Sequence, residues 1–376
     1  MANILILGGG FGGLVAAEQL SKSLGKEHRI TLVSINPHFT FYPALVHLAF
    51  GEVEPSDITF DLVEKLNELN VRFIQGEIIK ISANLKRVQI AGKDLNGEIS
   101  YDYLIIALGR RLATEKVRGF YEYGHHILEP KAALDFGEEV RNFKKGKILV
   151  GMSPESFLPV PVCETAFALA KKFKKEIEAE KISIMVIFPE SIEQAFGGAD
   201  LHRELTEALE KHSIFVTTNY PVMEISENEI ISSNGQTIPY DLLMLLPPFR
   251  GQSFLGNLGV LDDLEFILTD EFMRVPNFAK VYAIGDIVDF SGPKLAQMAV
   301  RQAEVAAASI IAEIKGEESG EYYYHEIATI IDQGGADSIY LHYGVWDDCL
   351  YRLKKGRIWS WAKRIHDKLW KLAHTS

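Results

Sequence analysis

Asn3-Ile-Leu-Ile-Leu-Gly-Gly-Gly-Phe-Gly-Gly-Leu-Val-Ala-Ala-Glu-Gln-Leu20 decides the fold. The apolar run Asn3 to Leu7, rich in strand formers, breaks into glycines, and from Leu14 apolar residues recur at helical spacing through Ala17, Leu20 and Leu24. The stretch reads as strand, glycine turn, helix. Gly8, Gly10 and Gly13 satisfy G-x-G-x-x-G in the context that gives the pattern meaning. The first glycine permits a tight turn, the second lets the backbone approach a pyrophosphate, and the third lets the helix pack closely on the strand. A diphosphate is expected at the helix N-terminus, where free N–H groups and the helix dipole favour an anion.

The remaining chain is long enough for company around that unit. Its 376 residues, 47% apolar and 24% charged, match a globular protein of two or three domains rather than a disordered one. A net charge of -12 argues against a general nucleic-acid binder, because neutralising phosphates needs a basic surface. Only Cys163 and Cys349 are present, so no disulfide framework is expected and a reducing compartment suits the chain. With a strand beginning at the third residue a signal peptide is not expected, and no apolar run reaches the length of a membrane span. Charge is unevenly spread: from Tyr351 onward Arg352, Lys354, Lys355, Arg357, Lys363, Arg364, Lys368 and Lys371 face the single acid Asp367.

Two stretches repeat one plan. Lys80-Ile-Ser-Ala-Asn84 runs through Asn96-Gly97 to Tyr101-Asp-Tyr-Leu-Ile-Ile-Ala-Leu-Gly109, and Glu224-Ile-Ser-Glu-Asn228 runs through Asn234-Gly235 to Tyr240-Asp-Leu-Leu-Met-Leu-Leu246. Each is expected to be a meander with an Asn-Gly hairpin turn leading into a buried strand, and duplication of a nucleotide-binding domain explains both. The second copy's strand is expected over Lys147 to Val150 and its helix over Cys163 to Lys175. The intervening Gly151 to Val162 holds one glycine and three prolines, a poor cradle for a pyrophosphate. After Pro247-Pro248 the chain is expected to return to the first domain through Lys280-Val-Tyr-Ala-Ile-Gly285-Asp286 and a long helix opened by Gly292-Pro-Lys-Leu. The end of the chain, Gly356 to Ala373, carries Ile358, Trp361, Ala362, Ile365, Leu369, Leu372 and Ala373 on one helical stripe with basic residues elsewhere.

Three separated motifs, Gly8-Gly-Gly-Phe-Gly-Gly13, Tyr103-Leu-Ile-Ile-Ala-Leu-Gly109 and Val281-Tyr-Ala-Ile-Gly-Asp286, together resemble the two-dinucleotide-binding-domain flavoproteins. Within them the chain looks like the branch holding sulfide:quinone oxidoreductases, flavocytochrome c sulfide dehydrogenases and type II NADH dehydrogenases. The resemblance implies an α/β protein with two Rossmann-like, three-layer domains, over residues 1–110 with 250–320 and over 111–249. A C-terminal membrane-associating unit over 321–376 completes it. It also implies FAD as cofactor, contacted by Gly8, Gly10, Phe11, Gly13, Ser34, Ala107, Gly109, Gly285, Asp286, Lys294 and Leu295. Ser34 stands where such folds usually carry an acid for the ribose, which points to neutral hydrogen bonding there. Lys294 is expected at the flavin pyrimidine, where a cation stabilises the negative charge of the reduced ring. The aromatic run Pro37 to Gly51 suits either a wall against a flavin or quinone ring or a packed connection.

Donor signals conflict. Sulfide:quinone oxidoreductases place cysteines beside the flavin, yet aligning their glutamate with Glu164 puts Leu158 at one cysteine position, and Thr329 stands at the other. Type II NADH dehydrogenases need a second glycine cradle, absent here, though Ala296-Gln297-Met-Ala299-Val-Arg301-Gln302 follows their quinone-side stretch except at Arg301. The resemblance therefore implies an FAD-dependent enzyme passing electrons from a small donor to a quinone. Glu164 is the candidate proton relay or, alternatively, a helix cap, and Gln297 and Trp361 are candidates at the quinone. A type II NADH:quinone dehydrogenase and a flavin-carrying relay subunit stay as alternatives. The expected partners are a quinone, the small donor, an anionic membrane surface reached by the last helix and a second copy of the chain. The expected location is the cytoplasmic, inner face of the cell membrane.

Overall fold

The computed structural model describes residues 1–318, 320–335, 337–346 and 350–375. The opening strand Asn3–Leu7 lies in the middle of a five-stranded parallel sheet, ordered Val281–Ala283, Tyr103–Ile106, Asn3–Leu7, Arg29–Ser34, Arg72–Gln75. Both faces of this sheet are covered, so its central strands read as unbroken apolar runs rather than as alternation. Helices Phe11–Leu24 and Ala296–Lys315 pack against each other beside it. A segment from the chain's last third thus completes the sheet begun at the N-terminus.

A second parallel sheet follows the order Ile214–Thr217, Ile182–Ile187, Gly146–Met152, Leu242–Leu246. Its helix runs Pro159–Lys172, four residues earlier than the sequence suggests. The reason is that prolines in the first turn cost no hydrogen bond, since those N–H groups have no partner inside the helix anyway. Each sheet carries a three-stranded antiparallel meander, Glu77–Ser82, Arg87–Ala91, Asn96–Ser100 in one and Val222–Ile225, Glu229–Ser232, Thr237–Pro239 in the other. Both meanders are bulged in their first strand pair, between Ile78 and Lys80 and between Val222 and Glu224. Only one Asn-Gly pair makes the expected turn. Gly235 bends with φ +81, whereas Asn96 and Gly97 are strand residues paired with Ala91 and Ile90. There the bend falls at residues 92–95, because Gly92 is pressed on Gln75 (an added Cβ would lie 2.3 Å from its carbonyl oxygen) and Asp94 accepts the Gln75 N–H at 3.0 Å.

The two passages between the sheets, Arg111–Leu112 and Phe249–Arg250, pair antiparallel with each other. Beyond the long helix, Glu326–Asp332, Ser338–Gly344 and Tyr351–Lys355 form an antiparallel sheet, and helix Arg357–Thr375 closes the chain. No helix among the described residues is long and apolar enough to cross a membrane.

Candidate functional site

The glycine turn is built as a cradle. Gly8 sits at φ +106, and a Cβ there would lie 2.2 Å from the Ala107 carbonyl oxygen; at Gly13 a Cβ would lie 1.9 Å from the Gly8 oxygen. Both are glycine because backbone fills the space. Gly10 is different: nothing lies within 4 Å of its added Cβ, so its open side is the free volume at the start of helix Phe11–Leu24. That helix has no side-chain cap and no acid in its first turn, which leaves its N–H groups and dipole to an anion. Ser34 ends its strand beside Gly9, its Oγ 3.2 Å from where a Cβ would stand. A dinucleotide diphosphate therefore fits these residues, and a larger side chain at Gly10 would fill its place.

Across the sheet ends, Gly109 and Gly285 both take left-handed turns, φ +64 and +78, and the Gly285 N–H is held by Gln302 Oε1 at 2.6 Å. Asp286, next in line, is ion-paired with Arg110, whose guanidinium lies 4.2 Å above the Phe249 ring and whose Nε is buried without a partner among the described residues. Arg110 escaped the sequence reading because no motif marks it. Lys294 is not a solvated helix-start lysine. It is 3% exposed, donates from Nζ to the Val288 carbonyl at 2.7 Å and lies 3.9 Å and 4.2 Å from the ring centres of Phe266 and Phe290. Burial pulls its pKa down to about 8, against the opposing pull of Asp286 and Asp289. Leu295 caps the following helix, and Gln297 is half-buried in its first turn.

The second turn lacks the first one's glycines. Gly151 lies inside its strand, where a Cβ would lie 2.1 Å from Ile187 Cγ1, and no glycine follows it before helix Pro159–Lys172. The segment after it is latched in place. Ser156 Oγ donates to the Leu246 and Pro247 carbonyls at 3.0 and 2.9 Å, and the Glu155 carbonyl accepts the Phe249 N–H at 2.9 Å. Glu155 and Phe157 hold φ of +63 and +45, strained values that the latch enforces. Leu158 caps helix Pro159–Lys172 and packs on the core, while Thr329 is half-buried in its strand.

Glu164 does not cap its own helix. Buried in it, Glu164 accepts the N–H of Asp332 at 2.9 Å and is ion-paired with Lys363 of the last helix. Burial lowers the pKa of Lys363, but the charges of Glu164, Asp367 and Asp332 outweigh it and leave the pKa raised. Asp332 accepts in turn from Ser360 Oγ at 3.0 Å and from the Gly335 N–H at 2.8 Å. Lys363 lay hidden in the sequence among the basic residues of the tail. Cys163 is fully buried, and burial drives its thiol pKa far upward, which makes it an inert core residue; Cys349 lies outside the described residues.

The last helix divides its tryptophans. Trp370 enters a nest of Phe11, Phe39 and Phe41, with ring centres 4.7, 5.4 and 5.2 Å away, and Trp359 stacks on Tyr340 at 4.2 Å. His374 stacks on Trp370 and meets buried Glu18 at 2.7 Å. Phe11 thus packs its ring among Phe39, Phe41 and Trp370. Trp361, 69% exposed, points outward with Ile358, Ile365, Leu369 and Leu372.

A family model described as pyridine nucleotide-disulphide oxidoreductase matches residues 2–303. A sulfide-quinone reductase of Aquifex aeolicus is 27% identical over 337 residues, covering 83% of this chain and 77% of that protein. A type II NADH:quinone oxidoreductase of Staphylococcus saprophyticus is 21% identical over 367 residues, covering 91% and 90%. The solved structure of the Aquifex aeolicus sulfide:quinone oxidoreductase superposes with a TM-score of 0.90 at 24% identity, over 99% of this chain and 91% of that one. With its cradle shaped for a diphosphate and the family model spanning both parallel sheets, the chain belongs to the pyridine nucleotide-disulphide oxidoreductase family and is an FAD-dependent oxidoreductase.

Proposed function

We propose that the protein is a membrane-peripheral quinone reductase of the sulfide:quinone oxidoreductase type, taking electrons from a small donor other than a nicotinamide nucleotide. The observation that carries this reading is the contrast between the two turns: the first has an open side at Gly10 for a diphosphate, and the second has no glycine beyond its strand and is latched to residues 246–249. The quinone is supported by the names of the relatives, which are quinone reductases with either donor. We further propose the division into 1–110 with 250–320, 111–249 and 321–376, the last unit resting on an anionic membrane at the inner face of the cell membrane. Its outward stripe of Ile358, Trp361, Ile365, Leu369 and Leu372, flanked by basic residues, suits an interfacial helix.

Bound FAD supplies a two-electron carrier. Gly8, Gly10 and Gly13 with the helix N-terminus would hold its diphosphate, Ser34 the adenosine ribose, and Asp286 the ribityl or diphosphate part. Lys294, buried between the Phe266 and Phe290 rings, would hold a positive charge for the negative charge of the reduced ring, where burial leaves it little screened. Glu164 and Lys363 place a proton-bearing pair under the helix that meets the membrane, suited to carry protons with electrons to a quinone. Leu158 and Thr329 supply no sulfur for disulfide exchange.

The test is an anaerobic titration of the flavin spectrum with sulfide and with NADH, followed by quinone. Slow bleaching by both, indifference of the sulfide reaction to Cys163→Ser, and rapid reoxidation by quinone support the reading. Bleaching by NADH within the instrument dead time overturns it in favour of a type II NADH:quinone dehydrogenase, which the 91% coverage by that relative keeps as the second reading. Failure of quinone to reoxidise the flavin leaves a relay subunit.

A further inference from the structure

Lys294 hangs on a short connection, residues 288–294, that three parts of the chain hold. Its Nζ returns to the Val288 carbonyl at 2.7 Å, and its N–H donates to the Phe157 carbonyl of the latched segment at 2.8 Å. Gly292, at φ +81, packs on Gly197, where a Cβ would come within 3.2 Å of the Gly292 Cα. The remaining hold comes from the residue that leads into the C-terminal sheet. His325 is fully buried, and its Nε2 lies 2.7 Å from the Ser291 carbonyl oxygen while its Nδ1 lies 2.8 Å from the Tyr323 hydroxyl.

The chemistry of the partners fixes the tautomer. A carbonyl only accepts, so Nε2 carries the proton and Nδ1 accepts from Tyr323. Burial lowers the imidazole pKa, the Ser291 carbonyl opposes that, and the charge of Lys294 adds to it, which keeps the ring neutral. The same ring lies 4.9 Å from Phe290, a wall of the box around Lys294, and Trp346 covers it from outside at 5.7 Å. His325 therefore touches both the backbone that carries Lys294 and the aromatic wall that surrounds it. The charged groups acting on that lysine are Asp286, Asp289, Asp262 and Arg110, none of them on the segment that carries His325.

We infer that His325 is a positioning residue: by holding the Ser291 carbonyl and backing Phe290 it fixes where Lys294 stands, so that the segment leading into the C-terminal sheet sets the midpoint potential of the flavin. The inference rests on the reading of Lys294 as the cation at the flavin ring. Two isosteric replacements separate this role from bulk. The amide nitrogen of His325→Gln reaches the place of Nε2 and keeps the bond to Ser291; that of His325→Asn reaches only the place of Nδ1 and loses it.

The experiment is dye-equilibrated reduction of the purified FAD-loaded protein, wild type against H325N, H325Q, K294M and H325N/K294M. H325N is expected to be about tenfold less reduced at a fixed ambient potential, which is about 30 mV for a two-electron couple, with H325Q close to wild type. In the K294M background H325N is expected to add nothing. A wild-type potential in H325N, or an equal shift with and without Lys294, overturns the inference alone. A wild-type potential in K294M overturns the reading of Lys294 and the inference with it. If H325N loses its flavin, amide hydrogen exchange of residues 289–294 in the apoproteins decides instead. Faster exchange in H325N than in H325Q supports the inference, and equal exchange overturns it.

Discussion

Replacing Lys363 by methionine tests what holds the last helix to the rest of the protein. Lys363 and Glu164 are 14% and 8% exposed, so the substitution leaves a carboxylate with little access to water and only the Asp332 N–H, at 2.9 Å, as a partner. Removing one member of such a pair costs about 3–5 kcal/mol, because the surviving charge stays buried without compensation. The retained N–H bond and the freedom of a terminal helix to swing outward place the expected loss near the lower figure, about 3 kcal/mol. At about 2 °C per kcal/mol for a chain of this size, that is a drop of roughly 6 °C in thermal midpoint. Adding Glu164→Gln removes the stranded charge while keeping an acceptor for Asp332, and should recover all but about 1 kcal/mol. The loss should also be flat with pH. Charge from Glu164 raises the pKa of Lys363 despite its burial, so the ion pair's contribution is complete below the unfolded lysine value of about 10.4 and fades only above it. Thermal unfolding from about pH 6 to 9, with trypsin cleavage inside 357–375 as the local readout, measures both effects. A K363M protein with wild-type midpoint and protease resistance, or a double variant no more stable than K363M, refutes the reasoning.

Gly10→Val should purify without FAD while keeping its fold, since its side chain enters the one open volume at the cradle; a normal flavin to protein absorbance ratio would show that the diphosphate lies elsewhere. Trp361→Glu with Leu369→Glu, both on the outward stripe, should abolish sedimentation with anionic liposomes and leave FAD content unchanged, and unaltered sedimentation would remove the membrane from the reading. Lys294→Met should change the pH profile of apoprotein stability. The folded pKa of Lys294 lies near 8, below the unfolded value, so the folded state sheds its proton first and the wild type gains stability relative to the variant between about pH 8 and 10.5. A constant difference across that window would show that Lys294 is not desolvated.

The first sheet was legible because its signals are local. A strand, three glycines and a helix lie within twenty-odd residues, and each glycine's role follows from one close approach or one open volume. The repeat of Tyr-Asp before an apolar strand likewise announced the second sheet, even though one of its two Asn-Gly turns moved: no sequence pattern shows that Gly92 is pressed on Gln75 or that Asp94 is engaged with the Gln75 N–H. Arg110, Lys363 and His325 were invisible for a related reason. Their partners Asp286, Glu164 and Ser291 lie 176, 199 and 34 residues away, and an ordinary basic residue in a basic tail carries no mark of its destination. Leu158 and Thr329 were legible only as departures from a pattern, and a departure shows what a position lacks rather than what it does.

The last helix shows why composition alone does not sort its tryptophans. An interfacial helix and a docked helix both need apolar residues at three- and four-residue spacing, and this one needs them on two faces at once. Trp370 and Trp359 lie on the docking side, where each finds an aromatic partner from a distant strand or helix; Trp361 falls between them in sequence and finds none among the described residues. What sorts them is the pair of polar anchors. Lys363 reaches Glu164 beside the second sheet, and His374 reaches Glu18 on the helix whose start forms the cradle, which fixes the rotation of the helix about its axis. Because both anchors end on buried carboxylates, rotating the outward stripe inward would strand two negative charges in the core. That cost, larger than the gain from covering a few half-exposed apolar side chains, is what keeps an apolar stripe facing out.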